Sequence, residues 1–330
     1  MRCLALAQAW QDAGGRAVFA LASGIREVGE RLRSDGMELV EIPGTLGGED
    51  DASRTAELCR EHLASWLVLD GFHFSQQYRA TVRSGADHIL LVDDHGEFAP
   101  YQCDVVLNTN PYASPQMYPP RDDRAHFLLG AEFALLRREF LEHRREFLEV
   151  PEVARRILVT FGGSDPRNVT MLIVEALKGL SDPGIEVSVV VGSSNPHRSE
   201  LEEAIKKSPN MRLLFNVENM PHLMASADLA VTAGGGTCYE LAYAGVPMFL
   251  ITMAQNHEQT VRAWGNRGAA VNAGWFHQLK VPELRVQLTE LIADRTSRRT
   301  LAQNAAQMVD GLGARRVVST MLGRPTGLDR

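Results

Sequence analysis

The sequence predicts an α/β protein of two domains, each a parallel sheet with helices on both faces. In both halves of the chain, short apolar runs of strand length alternate with segments of helical spacing, the pattern of repeated strand–helix–strand units. The chain has 330 residues, more than one hydrophobic core usually organises. A charged run interrupted by Pro151 stands just before the alternation restarts. We therefore expect an N-terminal domain over 1–150 and a C-terminal domain over 151–330, with a linker at 149–155.

Composition narrows the class of function. Hydrophobic residues make up 45% of the chain and charged residues 23%, as in ordinary globular proteins. The net charge of −7 argues against nucleic acid or an anionic membrane as a general partner. No apolar run approaches the ~20 residues that span a bilayer, and no signal peptide is recognisable. The four cysteines fit no metal-binding spacing, so we expect a cytoplasmic protein with reduced thiols.

Each half predicts its own series of elements. Helical spacing over 2–12 opens the N-terminal half, followed by strands at 17–21, 39–42, 66–69, 88–92 and 105–107 and helices near 24–34 and 53–64. Prolines at 111, 115, 119 and 120 then predict irregular chain, and the charged stretch 137–149 predicts an exposed helix. The C-terminal half predicts strands at 157–160, 186–191, 212–215, 229–232 and 248–251, and helices at 168–179, 198–207, 220–226 and 237–244. Because ligands bind outside the carboxyl ends of parallel strands, the loops after the strands are of most interest.

The strongest local signal is a run of three glycines, Gly234, Gly235 and Gly236, between an apolar strand and a helix that begins at Thr237. Glycines let backbone N–H groups approach a phosphate without interference from a Cβ atom. The start of the helix adds free N–H donors and a favourable dipole, and Thr237 can cap the helix or contact the phosphate. The alternative is a plain tight turn with a good cap.

Three further polar residues are expected near this loop. Glu240, on the first turn of the helix, can accept hydrogen bonds from a ribose diol, as acids do in other nucleotide sites. It can instead form a Thr-x-x-Glu capping box with Thr237. Asn256 and Gln259 follow the next strand and are candidates for the crevice outside the strand ends. Together these residues predict a nucleotide site in the C-terminal domain.

A second glycine loop follows the strand at 157–160. Gly162 and Gly163 can approach a ligand from the opposite side, with Asp165 next in the loop, and all three are candidates for contact with the sugar in the cleft. Asp165 or Asn168 can cap the helix that follows. A turn chosen only for its geometry is the alternative.

In the N-terminal half, Asp70, His73, Asp93 and Asp94 follow predicted strands. Acids at strand ends are either catalytic or caps of the next helix, and Asp70 and His73 are the candidates for catalysis here. The paired acids at 93 and 94 lack a third ligand, so no metal is expected. Cys238, beside the glycine loop, is expected to pack rather than to react.

These motifs resemble those of the pseudaminic-acid pathway hydrolases that remove UDP from UDP-2,4-diacetamido-2,4,6-trideoxy-β-L-altropyranose (PseG), and of related spore-coat (SpsG-like) predicted glycosyltransferases. The similarity covers nearly the whole chain, and its motifs fall in the same order. The matching segments are 1–7, 92–94, 107–110, 128–130, 133–137, 160–166, 234–240, 254–256 and 310–314.

The resemblance implies a GT-B fold, in which two Rossmann-like domains with parallel sheets face a cleft. It implies a UDP-sugar whose nucleotide is held by the C-terminal domain, with Gly235, Gly236 and Thr237 at the diphosphate, Glu240 at the ribose and Asn256 near the phosphates. It also implies hydrolysis of a UDP-linked diacetamido-trideoxyhexose, as in pseudaminic acid biosynthesis, without a metal or another cofactor.

This sequence departs from the family at its start. The family begins with a strand and a Gly-x-Gly-His segment, whose histidine is its proposed catalytic residue, and this histidine would lie upstream of Met1. A missing central strand leaves the neighbouring strands unpaired and leaves helix 2–12 without a sheet surface to pack on. We therefore expect a start site ~15–25 residues upstream of Met1, roughly a strand and a loop.

A second departure is Phe72, which stands where the hydrolases carry a tyrosine near the sugar. Phenylalanine can stack on a sugar face but cannot donate a hydrogen bond. The contact expected of Phe72 is therefore stacking.

Three functions stay open. The first is hydrolysis of the UDP-sugar, and the second is transfer of the sugar to an acceptor in surface polysaccharide synthesis. The third is binding of a nucleotide-sugar without turnover. The exact sugar, the acceptor and the oligomeric state are not specified by the sequence.

Overall fold

The computed structural model describes residues 1–22, 26–118, 125–144, 150–178, 180, 182, 184–217 and 219–325, without the side chains of residues 26 and 27. Prolines 119 and 120 lie outside these residues, as do parts of the predicted helices 24–34 and 168–179, of the charged stretch 137–149 and of the linker 149–155. The chain divides into two compact units, one formed by 1–138 with 311–330 and the other by 139–310. Both units carry parallel sheets, as predicted.

The described part of the first unit follows the predicted alternation. Its elements are α1 (Arg2–Asp12), β1 (Val18–Ala22), α2 (Arg26–Ser34), β2 (Glu38–Ile42), α3 (Glu49–Glu61), β3 (Trp66–Asp70), α4 (Gln76–Val82), β4 (His88–Val92), β5 (Val105–Asn108) and β6 (His126–Leu129). The strands form two parallel sheets, β1-β2 and β3-β4-β5-β6, and among the described residues β1 and β3 do not pair with each other.

Helix α1 packs beside both sheets of this unit. Leu4 clusters with Leu32 and Met37, close to side chains of β1 and β2. Leu6 clusters instead with Leu90 of β4 and Val105 of β5. The expectation that this helix has no sheet surface to pack on is therefore wrong, because Leu4 packs beside one sheet and Leu6 beside the other.

The second unit contains α5 (Arg138–Leu141), β7 (Arg156–Thr160), α6 (Val169–Leu177), β8 (Glu186–Val191), α7 (Arg198–Ile205), β9 (Met211–Phe215), α8 (Met220–Ser226), β10 (Leu229–Ala233), α9 (Thr237–Ala244), β11 (Met248–Thr252), α10 (Gln255–Asn266), β12 (Val271–Trp275), α11 (Val281–Ala293) and α12 (Arg295–Met308). Its described strands form one six-stranded sheet in the order β12-β11-β10-β7-β8-β9, all parallel. This is the doubly wound order, with one half of the sheet built outward from β7 and the other from β10.

The two compact units divide at 138/139 and 310/311, whereas the sequence predicts one boundary at 150/151, and the hydrogen bonds of the expected linker explain the difference. Arg295 donates from Nε to the Val150 carbonyl at 2.8 Å, and Arg298 donates to the carbonyls of Pro151 and Glu152 at 2.9 and 2.8 Å. These long-range bonds hold the expected linker against the second unit. The sequence indicated a linker here because Pro151 interrupts a charged run. The backbone oxygens of residues 150–152 instead accept hydrogen bonds from Arg295, which is exposed, and from Arg298, which is fully buried.

The final helix, α13 (Gly313–Met321), returns to the first unit. Val317 and Val318 pack with Leu6 and Leu90, and the Met321 carbonyl accepts a hydrogen bond from Trp66 Nε1 at 3.1 Å. The last helix thus completes the N-terminal core, an arrangement that the position of the segment in the chain does not reveal. In the part of the chain that the structure describes, no helix combines the length and apolar character needed to cross a membrane.

Candidate functional site

The three-glycine loop lies where the strand order of the second sheet reverses. β10 pairs on one side with β7 and on the other with β11. The loops after β7 and β10, which are the two glycine loops predicted from the sequence, leave the same edge of the sheet from adjacent strands. In doubly wound sheets this switch point opens a crevice for ligands.

The three glycines of this loop have different surroundings. A Cβ atom on Gly234 would lie 2.5 Å from Val261 Cγ2, so this glycine is needed for close packing against α10. A Cβ atom on Gly235 or Gly236 would meet nothing within 4 Å. The backbone at these two positions is therefore accessible, as a phosphate-binding loop requires.

The start of α9 supplies donors to the same space. The helix begins at Thr237, and its N-cap is Gly236, which has no side chain to cap it. Among the described residues, the N–H groups of Gly235, Gly236 and Thr237 have no hydrogen-bond partner. The capping box predicted for Thr237 is not formed, since Thr237 is already the first helical residue. The helix start thus presents free N–H donors and a positive dipole end.

Cys238 serves packing, as expected. It is fully buried, and its thiol donates to the Ala233 carbonyl at 3.2 Å. Burial raises the pKa of this thiol well above its ordinary value, so it stays protonated and unreactive.

The polar residues expected near the loop lie on two helix starts. Glu240 is half-buried in the first turn of α9. Asn256 and Gln259 are exposed on α10, three residues apart and so on one face of that helix. His257, between them, was not singled out by sequence reasoning, but its carbonyl and Cβ lie within 3.3 Å of a Cβ atom built on Gly234. The starts of α9 and α10 therefore meet at the glycine loop.

The second glycine loop is braced by a third loop at the same edge. Gly162 and Gly163 are exposed, and Gly162 has a φ of +80°. A Cβ atom on Gly192, just after β8, would lie 2.5 Å from the backbone of Gly163. Ser194 donates from Oγ to the Gly163 carbonyl at 3.1 Å. Sequence reasoning missed Gly192 and Ser194, although their position just after an apolar strand is a usable signal.

Asp165 is a helix cap in this structure. Its side chain is buried, and its carboxylate accepts from the Val169 and Thr170 N–H groups at 3.0 and 2.8 Å and from the Thr170 hydroxyl at 2.6 Å. The predicted sugar contact through this side chain is not supported, because the carboxylate is bound to the start of α6. Asn168 makes no capping bond.

In the first unit, Asp70 lies at the carboxyl end of β3 in an ion pair with α1. Arg2 donates from Nε and Nη2 to the two carboxylate oxygens at 2.9 and 2.7 Å, and Cys3 donates from Sγ at 3.1 Å. Arg2 also donates to Asp94 at 2.9 Å. Burial raises the pKa of Asp70, but the hydrogen bonds and charge of Arg2 outweigh it and the net pKa is lowered. An acid held in this way is a weak proton acceptor.

Met1 lies at the start of α1, next to this ion pair. It is the N-cap of the helix and makes no side-chain capping bond. Its carbonyl accepts from the Ala5 N–H at 3.3 Å, and the residue is 54% exposed. A thioether is only a weak acceptor, so the Met1 side chain is not a candidate for acid–base chemistry.

The lowered pKa predicts a pH-dependent contribution of Asp70 to stability. The ion pair stabilises the fold above the pKa of Asp70 in the unfolded chain, and this contribution is lost as the pH falls through the lower folded pKa. Because the pair is partly exposed, we expect Asp70→Asn to lower the free energy of unfolding by about 1 kcal/mol at neutral pH. The difference should shrink as the pH falls below the ordinary range of a carboxyl group and disappear once the pH is below the lowered folded pKa of Asp70. Urea melts at several pH values check this. Asp12→Asn, which breaks the more exposed pair with Arg138, is the control, and an effect of Asp70→Asn that persists in acid contradicts the ion-pair account.

His73 and Phe72 follow Asp70 and are both exposed. The Phe72 ring, 64% exposed, stacks on the His95 ring with 5.8 Å between centroids. The backbone beneath His95 is fixed by the buried carboxylate of Asp93, which accepts the N–H groups of His95 and Gly96 at 3.1 and 2.8 Å. The structure therefore brings Phe72 together with a histidine that sequence reasoning missed, and Asp93 acts as a turn cap. Within the described residues, no cluster of three metal-ligating side chains is found.

Several known proteins are similar to this chain in sequence or in structure. Residues 156–316 match the glycosyltransferase family 28 C-terminal domain. SpsG, the spore coat polysaccharide biosynthesis protein of Bacillus subtilis, is 29% identical over 168 residues, covering 51% of this chain and 50% of SpsG. This chain thus spans about half the length of that relative.

Two further proteins extend the similarity. The UDP-2,4-diacetamido-2,4,6-trideoxy-beta-L-altropyranose hydrolase of Campylobacter jejuni is 25% identical over 216 residues, covering 65% of this chain and 76% of the hydrolase. The crystal structure of Acinetobacter baumannii MurG superposes with a TM-score of 0.70 at 15% identity, covering 98% of this chain and 95% of that one. The structural likeness confirms the predicted GT-B fold.

Proposed function

Because this chain is an SpsG- and PseG-like protein of the GT-B glycosyltransferase type, we propose that it binds a UDP-sugar and cleaves the bond between sugar and diphosphate. The nucleotide is held by the second unit, with the diphosphate at Gly234, Gly235, Gly236 and Thr237. Water is the proposed attacking group, which makes the protein a UDP-sugar hydrolase. The proposed substrate is a UDP-linked diacetamido-trideoxyhexose.

One observation carries this proposal. The loop between β10 and α9 has three N–H groups without partners among the described residues, and the space above two of its glycines is open. A loop of this kind at the start of a helix favours binding of an anion. It also lies at the switch point of a doubly wound sheet, where ligands bind. Several successive backbone N–H donors are better matched by the many oxygens of a diphosphate than by the two oxygens of a single carboxylate.

The same donors serve the proposed chemistry. When water attacks the anomeric carbon, a new carbon–oxygen bond forms and the bond from that carbon to the diphosphate oxygen breaks, with its electron pair leaving on UDP. The attacking water loses one proton to the solvent. Backbone N–H groups and the α9 dipole stabilise the charge that develops on the leaving group. Glu240 accepts from the ribose hydroxyls, and Asn256 and Gln259 bind the nucleotide from α10. Gly162 and Gly163 of the adjacent loop are the proposed sugar contacts.

Transfer of the sugar to an acceptor is the second candidate. It is favoured by the match of residues 156–316 to a glycosyltransferase domain, and the Campylobacter relative that is named a hydrolase is only 25% identical. Both reactions break the same bond and use the same nucleotide site. They differ only in the attacking oxygen, which comes from water or from an acceptor hydroxyl.

Incubation of the purified protein with a panel of UDP-sugars, including the diacetamido-trideoxyhexose, tests the proposal. We expect release of UDP, measured by chromatography, without any added acceptor. Release only when an acceptor is present favours transfer, and saturable binding without release contradicts turnover. The matching ADP- and GDP-sugars are the ligand controls, and Gly235→Val is the protein control for release that depends on the glycine loop.

A further inference from the structure

His257 lies in the first turn of α10, against the glycine loop proposed for the diphosphate. A Cβ atom on Gly234 would lie 3.2 Å from the His257 carbonyl oxygen and 3.3 Å from its Cβ. The strands that precede the loop and α10 are parallel neighbours, with Ala233 opposite Ile251. His257 is therefore placed beside the nucleotide site by the packing of α10 on the loop.

The two ring nitrogens of His257 have different surroundings. Nδ1 is buried and has no hydrogen-bond partner among the described residues. Nε2 is not among the buried, unpartnered atoms of this part of the chain. Buried N–H groups without an acceptor are rarer in folded proteins than buried acceptors without a donor. The proton of the neutral ring is therefore assigned to Nε2, with Nδ1 as the sealed acceptor. A second proton would place an unpaired N–H at Nδ1 in a buried position, which is costly.

Little charge surrounds this ring in the described structure. α10 packs on β11 and β12, and neither strand carries an ionisable residue. The ionisable residues on the start of α9 are Cys238, Tyr239 and Glu240. On α10 itself, Glu258 pairs with Arg262 at 2.9 Å. Burial lowers the pKa of His257, which agrees with a neutral ring.

We propose that His257 binds the nucleotide as a neutral imidazole, donating an Nε2–H hydrogen bond to a diphosphate oxygen and taking up no proton when the nucleotide binds. The inference rests on the proposed function and specifies how that site handles charge. The negative charge of the diphosphate is met by amide dipoles and one neutral side-chain donor, without a cation from this position. Affinity should then depend on a donor at residue 257 but not on protonation of the ring.

Calorimetric titration with UDP tests the donor role. We expect His257→Ala to lower the affinity about fivefold to tenfold. His257→Gln, whose amide can donate from a similar position, should bind within about threefold of the natural chain. His277→Ala, which removes an exposed histidine beyond the edge strand β12, is the matched control and should bind normally. Unchanged affinity in a His257→Ala variant that melts like the natural chain overturns the proposal.

Proton counting on the natural chain tests the charge state and needs no variant to fold. The same titration is repeated at neutral pH in two buffers with different ionisation enthalpies, and His257→Gln corrects for protons that UDP itself exchanges. We expect no difference in proton uptake between the two proteins. If the natural chain alone takes up about half a proton or more on binding UDP, the proposal that His257 binds as a neutral imidazole is overturned. Failure of the natural chain to bind UDP contradicts the proposed function itself, whereas loss of only these His257 effects leaves that function standing.

Discussion

Replacing Gly235 by valine is expected to lower the affinity for UDP at least about tenfold, equivalent to about 1.4 kcal/mol or more. The branched side chain would stand where the phosphate must approach the backbone N–H groups. The fold should tolerate the change within about 0.5 kcal/mol. A Cβ atom on Gly235 meets nothing within 4 Å, and Gly235 is not among the described glycines with positive φ. Calorimetry with UDP and a thermal melt of the same sample measure both effects.

Gly234→Ala is the matched comparison within the same loop. Its added Cβ atom would lie 2.5 Å from Val261 Cγ2 and 3.2 Å from the His257 carbonyl. Overpacking of this kind costs about 1–3 kcal/mol, so the variant should melt at a lower temperature. The neighbouring glycines thus separate into one needed for packing and one needed for the ligand. A Gly235→Val protein that binds UDP normally contradicts the phosphate-loop interpretation.

Glu240→Ala is expected to weaken UDP binding by about 1–3 kcal/mol, the effect of losing a charge-assisted hydrogen bond to the ribose. In the structure the helix start is not capped by Thr237, so the variant should not lose a capping box as well. The measurement is UDP affinity by calorimetry, with 2′-deoxy-UDP as the matched ligand. The natural chain should prefer UDP, and the variant should lose most of that preference.

The stability of Glu240→Ala provides the control for this result. A folded variant with unchanged UDP affinity rules out the ribose role. Equal losses for UDP and 2′-deoxy-UDP point to a general effect of charge at the start of α9, not to recognition of the 2′-hydroxyl. Both outcomes leave the glycine loop itself untouched, so the two predictions are independent.

The alternation of strands and helices was predictable because it depends on local periodicity. The strand predicted at 229–232 is β10, Leu229–Ala233, and the helix predicted at 237–244 is α9, Thr237–Ala244. Glycines between an apolar strand and a helix are likewise a local pattern. The fold class and the candidate nucleotide loop therefore followed from the sequence.

The features that the sequence did not predict depend mostly on contacts between residues far apart in the chain. The ion pair that occupies Asp70 joins residues 68 positions apart, and the hydrogen bond from Trp66 to the last helix spans 255 positions. The strand at His126–Leu129 was missed because only four residues mark it, after a proline-containing stretch. Asp165 illustrates a local ambiguity, since a loop acid before a helix fits both a ligand contact and a cap. Only its bonds to Val169 and Thr170 decide between them.

The position of UDP in a crystal of the complex tests the central claim most directly. We expect diphosphate density beside Gly235 and Gly236 within hydrogen-bond distance of backbone nitrogens, and the ribose hydroxyls at the carboxylate of Glu240. Diphosphate density elsewhere on the protein, with the loop at 234–240 empty, would contradict the account.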